Sequence, residues 1–141
     1  MLLALPLALG GFAQFPDMVL ECKLTVSGML RGDEVPSAIT LRITGGDQPR
    51  LSQDPGDVRQ LPVDRFTEVR GDPADTGFSF GNGVEGISFT RDASAPGRYA
   101  VGWTACDEEA NGNFSHCGMF NGGEGFCQVT SSTSSPREVT Q

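Results

Sequence analysis

Met18-Val-Leu-Glu-Cys-Lys-Leu-Thr-Val-Ser27 is the stretch on which the fold turns. Met18, Leu20, Cys22, Leu24 and Val26 alternate with Val19, Glu21, Lys23, Thr25 and Ser27. A period of two sends one set to a core and most of the polar set to water, which is the pattern of a half-buried strand. Cys22 is therefore expected to point inward. The next apolar run repeats the pattern, with Ile39, Leu41 and Ile43 facing in and Thr40, Arg42 and Thr44 facing out. Further along, Tyr99, Val101, Trp103 and Ala105 share one face of a strand over Arg98–Cys106. Residues 125–131 close the set, and weaker strand signals lie at 65–70, 77–80 and 86–90.

Turn chemistry fills the gaps between these runs. Asp54-Pro-Gly-Asp57, Arg70-Gly-Asp-Pro73, Asn82-Gly83, Ala95-Pro-Gly97, Asn111-Gly112 and Asn121-Gly-Gly123 supply the positive φ and fixed φ that tight hairpins use. Arg31-Gly-Asp33 and Arg70-Gly-Asp72 also match an adhesion tripeptide, but both sit where a turn is needed anyway. With no amphipathic helix, these features predict an all-β fold: a small antiparallel sandwich or closed barrel of about seven short strands. The stretch 45–62, with Pro49, Pro55 and Pro62 and few apolar residues, reads as a long loop carrying at most a short edge strand.

Leu2 to Ala13 is uninterrupted apolar sequence ending in small residues. It is too short to span a bilayer and long enough for a secretory signal peptide. Residues 1–13 are accordingly expected to be a leader, 14–131 a single β-rich domain and 132–141 a flexible tail. Export to a periplasmic or extracellular compartment follows, and there cysteines oxidise. Four cysteines allow three pairings. Cys127, apolar beside polar Gln128, faces inward like Cys22, which favours Cys22–Cys127 with Cys106–Cys117 closing a short loop. Cys22–Cys106 with Cys117–Cys127 fits the spacing nearly as well.

The net charge of −8 starts only at Asp17, and the nine Arg and one Lys are scattered singly. Nucleic acid and anionic lipid both require clustered positive charge, so neither is expected as a partner, and no membrane span is expected.

Asp107-Glu-Glu-Ala-Asn-Gly-Asn113 places Asp107, Glu109, Asn111 and the Asn113 carbonyl at alternate positions with Gly112 at the bend, half of a calcium loop. Position twelve is Gly118 rather than a bidentate glutamate, so an acidic hairpin tip between two cysteines is the competing reading. His116 is the only histidine and reads as a loop residue. Phe78, Phe80, Phe89, Tyr99 and Trp103 are expected in the core. Phe114, Phe120 and Phe126 lie in or beside the cysteine-rich loops and are the candidates for a recognition surface. The function these features favour is a non-enzymatic exported module that binds a protein or glycan through 107–125. The alternatives are a small hydrolase whose site only the fold reveals and a structural envelope component without a ligand.

Overall fold

A computed structural model of the 141-residue chain describes residues 15–27, 35–106 and 120–133. The alternating runs become strands β1 (Met18–Ser27), β2 (Ser37–Thr44), β5 (Gly77–Gly81), β6 (Gly86–Arg91), β7 (Arg98–Cys106) and β8 (Phe120–Ser132). Two short strands, β3 (Arg50–Gln53) and β4 (Glu68–Gly71), flank a 3-10 turn at Val63–Arg65. All eight form one antiparallel sheet in the order β3-β2-β1-β8-β7-β6-β5-β4.

That order is an up-and-down meander whose first and last strands have joined. Every strand lies beside its neighbour in sequence except β3 and β4, which form the two lips of the sheet. The sheet curls so that one face encloses the core, giving a barrel left open along a single seam. The expected all-β, disulfide-stapled architecture is thus present as one curled sheet, not as two facing ones. The eighth strand is β3. Its four residues carry one buried apolar side chain, Leu51, too few to show a period of two within the stretch 45–62.

A single hydrophobic cluster fills the inside, taking Leu20 and Leu24 from β1, Ile39 and Leu41 from β2, Phe78 and Phe80 from β5, and Val101 and Trp103 from β7. Each large side chain fully buried this way contributes roughly 1.5–3 kcal/mol. The aromatic residues assigned to the core from sequence are all buried there. Phe78 stacks on Phe89 at 4.7 Å and meets Tyr99 edge-on at 5.4 Å. Phe15 ties the two sides of the seam together. Its backbone pairs with Gly46 beyond β2, while its ring packs edge-on against Phe78 and Phe80 of β5.

The β2 edge is longer than β3 can cover, and side chains complete it. Past the end of β3, the Asp54 N–H donates to the Thr40 carbonyl at 3.0 Å, and the Thr40 N–H donates to Asp57 Oδ2 at 2.9 Å. Gln53 Nε2 donates to the same carboxylate oxygen at 3.0 Å and to the Arg59 carbonyl at 2.7 Å. Leu61 N–H returns a bond to Gln53 Oε1 at 2.8 Å. So strapped, the connection delivers Leu61, Val63 and Phe66 into the core at the seam. Asp57→Ala strips the partner from a strand-edge amide. It is expected to cost about 1–2 kcal/mol, read as a lower urea midpoint at unchanged m-value. A loss of only a few tenths would show that solvent already satisfies Thr40.

Cys22 and Cys127 face one another directly across the β1–β8 ladder and are disulfide-bonded, with Cα atoms 3.9 Å apart. This rules out the rival pairing of Cys22 with Cys106. Cys106 is itself disulfide-bonded, and its partner lies outside the described residues, as does Cys117.

Candidate functional site

Side chains alternate across β8 as the sheet requires, and Phe120 and Phe126 fall on the same, outer face. They stand six positions apart, about 20 Å of extended strand. Phe120 is 50% exposed and Phe126 is 45% exposed. Sequence reading placed both in or beside the cysteine-rich loops, with Phe126 at the start of the strand expected over 125–131. That strand begins earlier, at Phe120, and both sit in register on it, Phe120 opposite Cys106 and Phe126 opposite Ala100 and Lys23.

Phe126 also meets a cation. The Arg98 guanidinium carbon lies 4.1 Å from its ring centroid, close enough for a cation–π contact. Arg98 Nε also stands 3.8 Å from Asp92 Oδ2. The Asp92 carboxyl is held below its ordinary pKa mainly by the Ser94 hydroxyl and amide, with a smaller share from Arg98. The result is an apolar plate with a cation over it and an anion behind.

Beside this strand, the outer face of β4–β7 forms an open trough of about 640 Å³. Its floor consists of Ser79, Gly81, Gly86, Ser88 and Gly102, with Thr104, Glu68 and Arg70 on its walls. Such a surface can offer hydroxyls, bare backbone, both signs of charge and some apolar area.

One buried charge was missed from sequence. Glu85 is 3% exposed. Arg65 Nε donates to its Oε1 at 2.9 Å and Arg65 Nη2 to its Oε2 at 2.6 Å. Asn82 Nδ2 donates at 2.9 Å and the Cys106 N–H at 2.7 Å. The Arg65 bonds, followed by those from Cys106 and Asn82, hold the Glu85 carboxyl below its ordinary pKa against the opposing effect of burial. The carboxylate clamps the turn before β4, the β5–β6 hairpin and the end of β7 at one point. Its lone pairs are occupied by four donors of the protein, so it binds three parts of the fold to one another. A hairpin signal at Asn82-Gly83 was legible, but nothing local foretold an arginine arriving from twenty residues away.

The remaining sequence candidates, Asp107, Glu109, Asn111 and Asn113 of the half calcium loop together with Phe114 and His116, lie outside the described residues. So does the expected leader at 1–13. Among the described residues, no group of three His, Cys, Asp or Glu side chains is placed to hold a metal, and no helix is long and apolar enough to cross a membrane. At the second Arg-Gly-Asp, Gly71 has φ 81° and Asp72 Oδ1 accepts the Ala74 N–H at 2.8 Å, a turn in which the aspartate caps its own backbone. No family model, curated protein or solved structure matches the chain.

Proposed function

We propose that this chain is an exported, non-enzymatic binding module, periplasmic or extracellular, that engages a protein or glycan through the cysteine-rich stretch 107–125 and the outer face of β8. The observation that carries this reading is the shared exposure of Phe120 and Phe126 on one face of one strand. Leaving such a ring in water forgoes roughly 1.5–3 kcal/mol of burial, while the residues between and beside them on that face are Gly122, Glu124 and Gln128. Large aromatics set among small and polar residues are the composition of an interface core with its rim. The cation-capped Phe126 adds an arginine, the other residue type enriched at such surfaces. A buried disulfide between the first and last strands suits an oxidising compartment, which supports export.

Glycan-array binding, and crosslinking capture from the host's exported proteins, test the reading by comparing the native chain with Phe120→Ala/Phe126→Ala. Both rings are exposed, so the variant is expected to fold. Partners of the native chain should weaken by roughly tenfold or more in the variant. Partners retained at full strength, or no partner for either protein, would overturn the proposal, the second outcome in favour of a structural component.

A further inference from the structure

The seam of the curled sheet has two lips finished in different ways. On one side Asp54, Asp57 and Gln53 strap the connection onto β2 past the end of β3. On the other, β4 pairs with β5 and with no second strand among the described residues. Hydrogen-bond alternation identifies which groups face that free edge. The Asp72 N–H donates to the Gly77 carbonyl at 3.3 Å, and the Asn82 N–H donates to the Glu85 carbonyl at 3.0 Å. Counting by twos from either bond makes Val69 and Phe80 a pair that exchanges no hydrogen bonds. The Val69 N–H and C=O therefore point out of the sheet.

Glu68 and Arg70 flank Val69, both exposed and both on the outer face. Opposite them on β5 stand Gly81 and Ser79, which bring no charge, and neither has an ion-pair partner among the described residues. Same-sign charges on a strand edge blunt association. Opposite charges two residues apart instead make the edge complementary to itself.

We propose that β4 is a docking edge for a second copy of this chain, paired antiparallel about a two-fold axis through Val69. In that register Val69 and the partner's Val69 exchange both of their outward hydrogen bonds. Glu68 then stands opposite the partner's Arg70, and Arg70 opposite the partner's Glu68. The symmetry demands that one patch match itself, and only this register does so. A shift by two residues' sum in either direction sets Glu68 against its own copy or Arg70 against its own. A shift by one sends Val69 to the wrong face. A four-residue ladder buries little area, so the association belongs to the weak, reversible class, and its exposed charge pairs make it sensitive to salt.

Sedimentation velocity of the full chain, up to millimolar concentration and across a salt series, tests this. The native protein should show a monomer–dimer equilibrium that added salt weakens. Glu68→Arg and Arg70→Glu should each weaken it by roughly tenfold or more, because each places like charges opposite one another twice. Mixing the two single variants should restore a dimer, as should Glu68→Arg/Arg70→Glu in one chain. Both side chains are exposed, and circular dichroism should show the folded sheet in every variant. A native chain that stays monomeric throughout, a dimer unmoved by the single reversals, or a mixture that fails to recover would each overturn the proposal.

Discussion

Replacing Cys22 and Cys127 by alanine is expected to lower the unfolding free energy by about 3–5 kcal/mol, since a crosslink closing a hundred-residue loop removes roughly 4.7 kcal/mol of denatured-state entropy. The bond joins residues 105 apart in sequence. It also sits in the ladder that turns a meander into a curled sheet, β1 against β8 from Met18–Ser132 to Ser27–Gly122. Without it, the two ends of the chain must find each other from a fully open ensemble. Domains of this size keep only about 5–15 kcal/mol of net stability, so the variant loses a large fraction of the total. The check is equilibrium denaturation in urea of the native and double-alanine chains under non-reducing conditions. The variant should unfold at a much lower midpoint with a larger m-value, because its denatured state is less constrained. A difference below about 1 kcal/mol would mean that the β1–β8 ladder alone holds the ends together. Both sulfurs are buried among core side chains, Cys22 at 3% and Cys127 at 1% exposure. Reductant should accordingly cleave the bond at a rate set by opening of the fold, and denaturant should accelerate it steeply.

The second large effect is expected at Glu85. Glu85→Ala leaves Arg65 without its bidentate partner and the buried Cys106 N–H without an acceptor. Breaking a buried pair by removing one member costs about 3–5 kcal/mol. The Arg65 side chain keeps 19% exposure, so water recovers part of its solvation and the lower end of that range applies. Glu85→Gln should cost less, because the amide oxygen still accepts from Cys106. The sign of the pH dependence follows from the lowered pKa. A carboxyl whose folded value lies below its ordinary 4.5 adds stability that is complete above the unfolded value. That stability is lost as pH falls through the folded value. The native chain should therefore converge on Glu85→Gln as the solution is acidified below about pH 4.5, and stay separated from it near neutrality. Urea midpoints for both chains across that range provide the measurement. A gap that persists unchanged into strong acid would show that the ionised form of Glu85 is not what stabilises the fold.

Much of the architecture could be read from the order of residues because strands write their own exposure. Leu20, Cys22 and Leu24 alternate with polar residues, and all three are buried. The same holds for Ile39, Leu41 and Ile43, and for Tyr99, Val101 and Trp103. The inward aim of Cys22 and Cys127 followed from the same alternation; it favoured their bond without excluding the rival pairing, and the β1–β8 register decided it. Where periodicity was short or absent, the reading ended. β3 has four residues and one core side chain. The first half of β8, Phe120-Asn-Gly-Gly-Glu-Gly125, resembles a turn in composition yet runs as a strand.

Gly123 shows why. It lies between Val26 of β1 and Trp103 of β7 on the inner face, and a Cβ there would collide with the Thr25 carbonyl oxygen and the Trp103 indole nitrogen. Glycine at that position makes room for a residue twenty positions earlier, a relation no local window contains.

By itself the sequence determined an antiparallel β fold, the inner and outer faces of β1, β2 and β7, a net negative charge and an even set of cysteines, since each depends on composition or on side-chain chemistry at spacings of one or two residues. Tertiary structure alone decided that the sheet closes through β1 and β8 and opens between β3 and β4, that Glu85 binds Arg65, and that Phe120 and Phe126 share one exposed face. Those outcomes rest on contacts between distant segments, where the energy of packing and pairing outweighs local preference.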